Sequence, residues 1–368
     1  MQNFIPETPC TILVAMSGGV DSCVAAAALT ARGHRVIGVT MKLWCYSEGS
    51  SPSRGCCTLE AIDDCRAVAR RMGFAHYVLN LEDAFREHVI EDLVDEYVQG
   101  RTPNPCIQCN NWLKFGELAR AAKRFECDYV ATGHYARRGF DAEGRATLLR
   151  AREGAKDQSY VLWGLSQDVL ARALFPIGHW TKEEVRAAAR DMGLSVADKR
   201  ESQDICFVEG RNYQDFMRER YPDRLAASPR GIVRDGSGRA LREHDGIHAF
   251  TIGQRRGIQV AAAERLYVTH IDPATGTVEV DREEALYRNE ARITRVSYTA
   301  GAGPSGPLEV TGKIRYLHEP SPAVLTPGAD GCADVRFQTP QRAMTPGQSL
   351  VLYDGDRVVA GGVIERVV

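Results

Sequence analysis

The chain has 368 residues, of which 44% are hydrophobic and 26% are charged, and its formal net charge is −2. These averages are typical of a soluble globular protein with two or three domains. We find no apolar run of membrane-spanning length and no signal-peptide pattern, so we expect a cytoplasmic protein. Eleven cysteines in a chain of this length exclude a small disulfide framework and favour reactive or metal-binding thiols. The low net charge means that any nucleic-acid site must be a local basic patch.

The first predicted strand, residues 11–16, runs into the loop S-G-G-V-D-S at 17–22 and an alanine-rich helix that ends near Gly33. The two glycines permit a sharp turn, and the helix start offers unpaired N–H groups and the positive end of its dipole. The pattern predicts a phosphate-binding loop. It matches neither the Walker-A nor the dinucleotide fingerprint, but it is similar to the pyrophosphatase loop of enzymes that split ATP into AMP and pyrophosphate.

The strand and helix patterns then alternate. We predict strands at 35–43, 75–80 and 128–132, and helices at 59–72, 84–98 and 111–125. A further helix is predicted to start at the capping box T-K-E-E at 181–184 and to end before Gly193. This order predicts an α/β fold with a doubly wound parallel sheet, in which ligands bind at the carboxyl ends of the strands.

Two cysteines, Cys106 and Cys109, lie three positions apart in R-T-P-N-P-C-I-Q-C-N, which we predict to be a proline-stiffened loop before a helix. A helix start lowers the pKa of a nearby thiol and so raises its reactivity. The spacing also permits half of a structural zinc site or a redox dithiol, although the adjacent Cys56 and Cys57 lack the spacing of a second zinc pair. Cys206 follows the capped helix in E-S-Q-D-I-C-F.

The remainder of the chain predicts two further units. Residues 209–284 are rich in arginine, glycine and aspartate, with one short helix at 213–220, and indicate a small connecting domain. From residue 291, glycine and proline turns separate short alternating segments at 291–298, 308–316, 333–337, 349–353 and 358–368. This spacing favours a small antiparallel β-barrel.

Several motifs in order then resemble one family. They are S-G-G-V-D-S, G-R-T-P-N-P-x-x-x-C-N, A-T-G-H-Y-A, K-D-Q-S-Y, E-S-Q-D-I-C-F, F-T-I-G-Q-R-R-G and K-I-R-Y. Together they resemble the bacterial tRNA-specific 2-thiouridylases, which use ATP to replace the C2 oxygen of the wobble uridine by sulfur in tRNAs for Lys, Glu and Gln. The resemblance implies an ATP pyrophosphatase domain at 1–208, a small central domain at 209–285 and a C-terminal β-barrel at 286–368.

The resemblance also implies roles for particular residues. Cys109 would be the nucleophile and Cys206 the persulfide carrier, and the product would be released as the two form a disulfide. A sulfur-donor or carrier protein, such as a cysteine desulfurase relay, and Mg²⁺ would take part as well. The residues for ATP would be Ala15, Met16, Ser17, Gly18, Gly19, Val20, Asp21, Ser22, Met41 and Gly133. Those for the target base would be Asn104, Pro105 and Cys106, and those for tRNA His134, Lys156, Asp157, Gln158, Arg315, Tyr316 and Gln348.

The chain departs from the family at Cys106, where many members have an aspartate. The three thiols Cys106, Cys109 and Cys206 could instead hold a 4Fe-4S cluster with one open iron for a hydrosulfide, since thiolates suit such clusters. Two other functions remain open: an amide-forming synthetase with the same ATP loop, and a non-enzymatic, cluster-bearing RNA-binding protein.

Overall fold

The computed structural model describes residues 3–44, 59–200, 206–208, 212–262 and 264–368. Cys56, Cys57 and the start of the E-S-Q-D-I-C-F motif lie outside these ranges. Within them, no helix is long and apolar enough to cross a membrane.

The N-terminal sheet is entirely parallel. Its strands are β1 (Thr11–Ala15), β2 (Arg35–Lys42), β3 (Ala75–Asn80), β4 (Tyr129–Thr132) and the short β7 (Ala173–Leu174), in the order β3-β2-β1-β4-β7. Because the chain moves outward from β1 to β3 and then returns to β4 on the other side of β1, the order reverses between β1 and β4. Such a reversal opens a crevice at the carboxyl ends of the two strands. The predicted doubly wound sheet is confirmed.

Helices cover this sheet. They are α1 (Val20–Ala31), α2 (Leu59–Met72), α3 (Glu82–Phe85), α4 (Glu91–Val98), α5 (Pro105–Gln108), α6 (Leu118–Arg124), α7 (Gln167–Leu170) and α8 (Lys182–Asp191). A π-helix, Arg86–Ile90, joins α3 to α4, and a second, Cys109–Glu117, joins α5 to α6. The helix predicted from 111 therefore begins six residues earlier, at Pro105, because proline is tolerated in a first turn. Cys106 and Cys109 lie on this helix and not on the loop that we predicted.

A hairpin, β5 (Ala136–Phe140) and β6 (Ala146–Arg150), leaves the parallel sheet directly after β4. It joins the C-terminal sheet, where Leu149 pairs with Arg357. Its two strands are short and show no clear alternation, so they cannot be recognised from the sequence, and their partner strand lies about 200 residues further along the chain.

The central region contains α9 (Tyr213–Arg220), α10 (Pro222–Ala226) and the strands β8 (Gly231–Asp235), β9 (Ala240–His244), β10 (Tyr267–Asp272) and β11 (Thr277–Asp281). The strand order is β10-β11-β8-β9. The predicted helix at 213–220 is confirmed. The sheet has its own small core, which includes Val233, Ile247, Phe250 and Val268.

The C-terminal strands are β12 (Tyr287–Tyr298), β13 (Leu308–Lys313), β14 (Ser321–Pro327), β15 (Ala333–Arg342), β16 (Ser349–Asp354) and β17 (Arg357–Val367). They form a closed antiparallel barrel, since β12 pairs with both β15 and β17. The predicted barrel is confirmed, but β14 was not predicted, because Pro322 and Pro327 lie within it and proline disfavours a strand.

Candidate active site

The loop after β1 and the turn after β4 meet at the reversal point of the sheet. A side-chain Cβ on Gly133 would lie 2.6 Å from the Ser22 nitrogen, and one on Gly18 would lie 2.5 Å from the Ala61 carbonyl oxygen. Gly18 also has a φ of +70°, which favours glycine. The two glycines therefore let the loop close against both α2 and the β4 turn.

Hydrogen bonds within the loop fix its shape. The Ser22 hydroxyl accepts from the Ser17 backbone nitrogen at 3.0 Å and donates to the Gly19 carbonyl at 3.1 Å. Gly19 caps α1 without a side chain, so the first-turn N–H groups of this 12-residue helix receive no side-chain cap from the N-cap position. Such a helix start can bind an anion such as a phosphate group.

Asp21, in the first turn of α1, is held by two donors from distant parts of the chain. The Lys182 Nζ lies 2.8 Å from both of its carboxylate oxygens, and the Tyr135 hydroxyl donates to Oδ1 at 2.8 Å. Lys182 and Tyr135 are buried. A carboxylate beside a phosphate-binding loop can join phosphate oxygens in binding Mg²⁺, which typically uses one or two carboxylates.

The other residues assigned to ATP lie around the same edge. Ala15 ends β1 and Met16 follows it, Val20 begins α1, and Met41 is near the end of the neighbouring strand β2. All four are buried and apolar, beside the polar loop. This combination suits an adenosine and its phosphates.

The thiols occupy different environments. Cys106 is exposed, whereas Cys109 is 7% exposed and belongs to an apolar cluster against which the partly buried Cys206 also packs. The Asn104 side chain caps the helix by accepting from the Cys106 nitrogen at 3.1 Å. Cys109 begins the π-helix Cys109–Glu117, and π-helical turns are frequent at functional sites.

Two other parts of the molecule, the barrel and the central region, anchor the segment that leads to these thiols. Gln348, in the barrel, donates to the Thr102 carbonyl at 2.8 Å, and the Thr102 nitrogen donates to the Pro346 carbonyl at 2.9 Å. The Thr102 hydroxyl donates to the Thr251 hydroxyl of the central region at 3.4 Å. Residues 101–105 thus lie where the N-terminal, central and barrel regions meet.

Comparison with known proteins gives matches along almost the whole chain. Family models described as "tRNA methyl transferase HUP domain", "tRNA methyl transferase PRC-barrel domain" and "Aminomethyltransferase beta-barrel domain" match residues 10–210, 214–282 and 288–364. A tRNA-specific 2-thiouridylase MnmA of Desulforamulus reducens is 46% identical over 97% of each chain. Another, of Geotalea uraniireducens, is 45% identical over 97% of this chain and 95% of its own.

The chain belongs to the tRNA-specific 2-thiouridylase family. The resemblance stated from the motifs is thereby confirmed, and so is the prediction of an enzyme of the sulfurtransferase class. Use of ATP follows from the pyrophosphatase-type domain of the family.

The seven residues that resemblance to the 2-thiouridylases assigns to tRNA differ in exposure. His134 and Asp157 are buried, and the Asp157 carboxylate accepts hydrogen bonds from the Ala151 and Ser159 nitrogens. Burial lowers the pKa of His134 well below its usual range, so the ring is neutral at physiological pH. The other five, Lys156, Gln158, Arg315, Tyr316 and Gln348, are half-buried. The tRNA assignments remain predictions.

A 2-thiouridylase with a 4Fe-4S cluster would need its three cysteine ligands to converge. Within the described parts of the chain, no group of three or more His, Cys, Asp or Glu side chains is arranged to hold a metal ion. Cys106, Cys109 and Cys206 are therefore not arranged as the expected ligand set among the described residues, and the 4Fe-4S cluster remains a prediction.

Two residues of this 2-thiouridylase site had no assigned role in the sequence. Tyr135 belongs to the A-T-G-H-Y-A motif and Lys182 to the capping box of α8, so each had a motif but no identified partner. Lys182 could have been noticed as a lysine in the first turn of a helix, where the dipole disfavours a cation.

Proposed function

We propose that this protein catalyses ATP-dependent 2-thiolation of the wobble uridine, position 34, in tRNAs for Lys, Glu and Gln. The observation that carries the proposal is the pairing of a phosphate-binding loop with Cys109 and Cys206, in a chain whose relatives are named tRNA-specific 2-thiouridylases. We further propose that residues 1–208 form the catalytic unit, with 209–285 and 286–368 completing the tRNA site. Such a substrate suits a cytoplasmic enzyme.

The uracil C2 oxygen is a poor leaving group, so activation must precede sulfur transfer. In our proposal it attacks the α-phosphorus of ATP, and pyrophosphate leaves into the Ser17–Ser22 loop. The backbone N–H groups of the loop and of the α1 start stabilise the developing negative charge. Mg²⁺ would supply further charge neutralisation when bound with the nucleotide. Asp21 is the carboxylate available to it, oriented by Lys182 and Tyr135.

Sulfur transfer then uses two thiols. The terminal sulfur of a Cys206 persulfide attacks C2, and AMP leaves. The Cys109 thiolate next attacks the Cys206 sulfur, which breaks the S–S bond, leaves sulfur on C2 and forms a Cys109–Cys206 disulfide. The packing of both residues against one apolar cluster supports this pairing. A donor protein would reload the persulfide after a thiol reductant has reduced the disulfide.

Cys106 has a different place in this scheme. Since it is exposed and its side chain is no carboxylate, we assign it contact with the target base, beside Asn104 and Pro105, and not acid-base catalysis. We propose the persulfide route in place of the 4Fe-4S route, because the three thiols do not form a ligand set within the described residues.

The target uridine must leave its stack to reach the crevice, as in other base-flipping enzymes. We propose that Lys156, Gln158, Arg315 and Tyr316 contact the RNA directly, as half-buried side chains can. The buried His134 and Asp157 would shape the site from beneath, and Gln348 would hold the Thr102 backbone in place.

The deciding experiment is mass spectrometry of tRNA after incubation with ATP and a persulfide donor, together with measurement of pyrophosphate release. We expect 2-thiouridine and pyrophosphate only with a cognate tRNA. Cys109→Ser and Cys206→Ser should abolish thiolation while pyrophosphate release persists, and Cys332→Ser, in a barrel turn, should match the wild type. An amide-forming synthetase would release pyrophosphate regardless of tRNA, and a binding protein would release none.

A further inference from the structure

The segment Thr251–Gly257, which we call the Arg255 loop, has a fixed conformation. The Gln254 side chain accepts from the Thr251 nitrogen at 2.9 Å and donates to the Arg256 carbonyl at 3.0 Å. The start of β10 holds the loop through two backbone hydrogen bonds, from the Gly253 nitrogen to the Val268 carbonyl at 2.7 Å and from the Val268 nitrogen to the Gln254 carbonyl at 3.0 Å. The loop is therefore preformed and pays little ordering entropy on binding a ligand.

This loop lies beside the segment assigned to the target base. Its first residue, Thr251, accepts the hydrogen bond from Thr102, three positions before Pro105. On its other side, a Cβ on Gly253 would lie 2.9 Å from the Ala343 Cβ and 3.9 Å from the Arg342 guanidinium. Gly253 has a φ of +84°, so both the backbone and the close approach require glycine.

Several arginine side chains gather at this junction, of which Arg342 is paired with Glu283 at 2.7 Å. Arg255 and Arg256 are exposed, and neither side chain makes an ion pair or hydrogen bond with another residue that the structure describes. The Arg342 carbonyl accepts from the Arg315 guanidinium at 3.1 Å, which brings Arg315 to the same place. Burial, and then the charge of Arg342, lower the pKa of Arg315. Cations that repel one another favour an anionic ligand.

We propose that Arg255 and Arg256 bind backbone phosphates of the tRNA next to the flipped uridine, so that the central region forms a wall of the RNA site. This inference rests on the proposed function. Guanidinium groups match phosphate in a bidentate geometry. Contacts to phosphates position the RNA but do not read its sequence. The loop therefore sets affinity and register for all cognate tRNAs alike.

The test measures the tRNA dissociation constant of the full-length protein as a function of salt concentration. Arg255→Gln and Arg256→Gln should each weaken binding about three- to tenfold, and each should reduce the slope of log K against log salt by about 0.7, the value for one lost contact with single-stranded RNA. Arg255→Lys and Arg256→Lys should keep the wild-type slope, because the charge remains.

The matched control is Arg230→Gln. Arg230 is also exposed and in the central region, but it packs against Gly276, at the other end of β10 from Val268. It should leave both the affinity and the slope unchanged. Equal thermal unfolding midpoints for all variants would show that the fold is intact.

The outcomes separate the two proposals. If the wild type thiolates tRNA but the slopes of the Gln variants equal that of the wild type, the loop assignment is wrong while the function stands. If those variants keep their tRNA affinity yet accept sulfur more slowly from a donor protein, the loop docks an acidic protein and our proposal is overturned. A wild type that binds no tRNA would overturn both.

Discussion

Lys182 and Asp21 form an ion pair in which the ammonium lies 2.8 Å from both carboxylate oxygens, although the two residues are 161 positions apart in the chain. The Lys182 side chain is 10% exposed and that of Asp21 29%. The pair joins the first turns of α1 and α8, at the point where the phosphate-binding loop ends. It keeps the carboxylate beside the loop without leaving an uncompensated negative charge next to the phosphates.

We expect Lys182→Met to lower the free energy of unfolding by about 1–2 kcal/mol, since it removes a charge-assisted hydrogen bond from a partly buried carboxylate. ATP affinity should fall at least roughly tenfold, because Asp21 would then repel the phosphates. Urea denaturation and equilibrium nucleotide binding measure the two effects. Lys123→Met, on the exposed face of α6, is the control. Unchanged ATP affinity in Lys182→Met would contradict the role that we assign to the pair.

Tyr135→Phe removes only the hydroxyl that donates to Asp21. A hydrogen bond to a charged group contributes roughly 1.5–3 kcal/mol. We therefore expect the free energy of ATP binding or the free energy of unfolding to fall by up to that amount. Tyr97→Phe is a matched control, because Tyr97 is also buried but stacks on Tyr213, in the central region. Nucleotide binding should distinguish the two variants. Identical affinities would show that the hydroxyl does not orient Asp21.

Gly133→Ala should impair ATP binding severely, because the added Cβ would lie 2.6 Å from the Ser22 nitrogen and 2.8 Å from the Asp21 carbonyl carbon. The backbone of Asp21 and Ser22 leaves the methyl group no space, so the loop must shift. Gly306→Ala is the control, since its Cβ would meet nothing within 4 Å. Isothermal titration with ATP compares them. Tight ATP binding by Gly133→Ala would mean that the close approach is not needed.

Iron content tests the sulfur route. We expect anaerobically purified protein to lack the roughly four irons per chain that one 4Fe-4S cluster requires, and Cys106→Ala to retain most of its thiolation activity with a persulfide donor. Iron analysis and the thiolation assay measure these. A brown protein with stoichiometric iron, and loss of iron and activity together in Cys106→Ala, would restore the cluster hypothesis.

Acid should destabilise the fold in part through His134. Burial lowers the pKa of His134 well below its ordinary value of 6.5, so below pH 6.5 the unfolded state binds a proton that the folded state does not. Stability should therefore fall as the pH drops below 6.5 and be unaffected by this group above it. In urea denaturation, the free energy of unfolding of His134→Gln should fall less between neutral and acidic pH than that of the wild type. The free energy of unfolding of His270→Gln, at an exposed position of β10, should fall with pH as it does for the wild type.

The sequence predicted elements whose signal is local. The apolar strand of residues 11–15 and the loop that follows it needed only neighbouring residues to be recognised. The capping box at Thr181 and Glu184 is present as predicted, with the Thr181 hydroxyl accepting from the Glu184 nitrogen. The start of the helix at Pro105 was missed because we read its prolines as signs of a loop, although proline is tolerated in a first turn. The strand β14 was missed because proline disfavours a strand.

The sequence by itself determined the alternation of strands and helices between residues 11 and 132, the glycine-containing loop at 17–22 and the positions of the thiols along the chain, because each depends on residues within a few positions of one another. Only the tertiary structure decided that Lys182 and Tyr135 meet at Asp21, and that Thr102 is held by both the central region and the barrel. It also decided that Cys106, Cys109 and Cys206 form no metal-ligand set within the described residues. Distances between groups far apart in the chain depend on sheet order and packing, which no local pattern specifies.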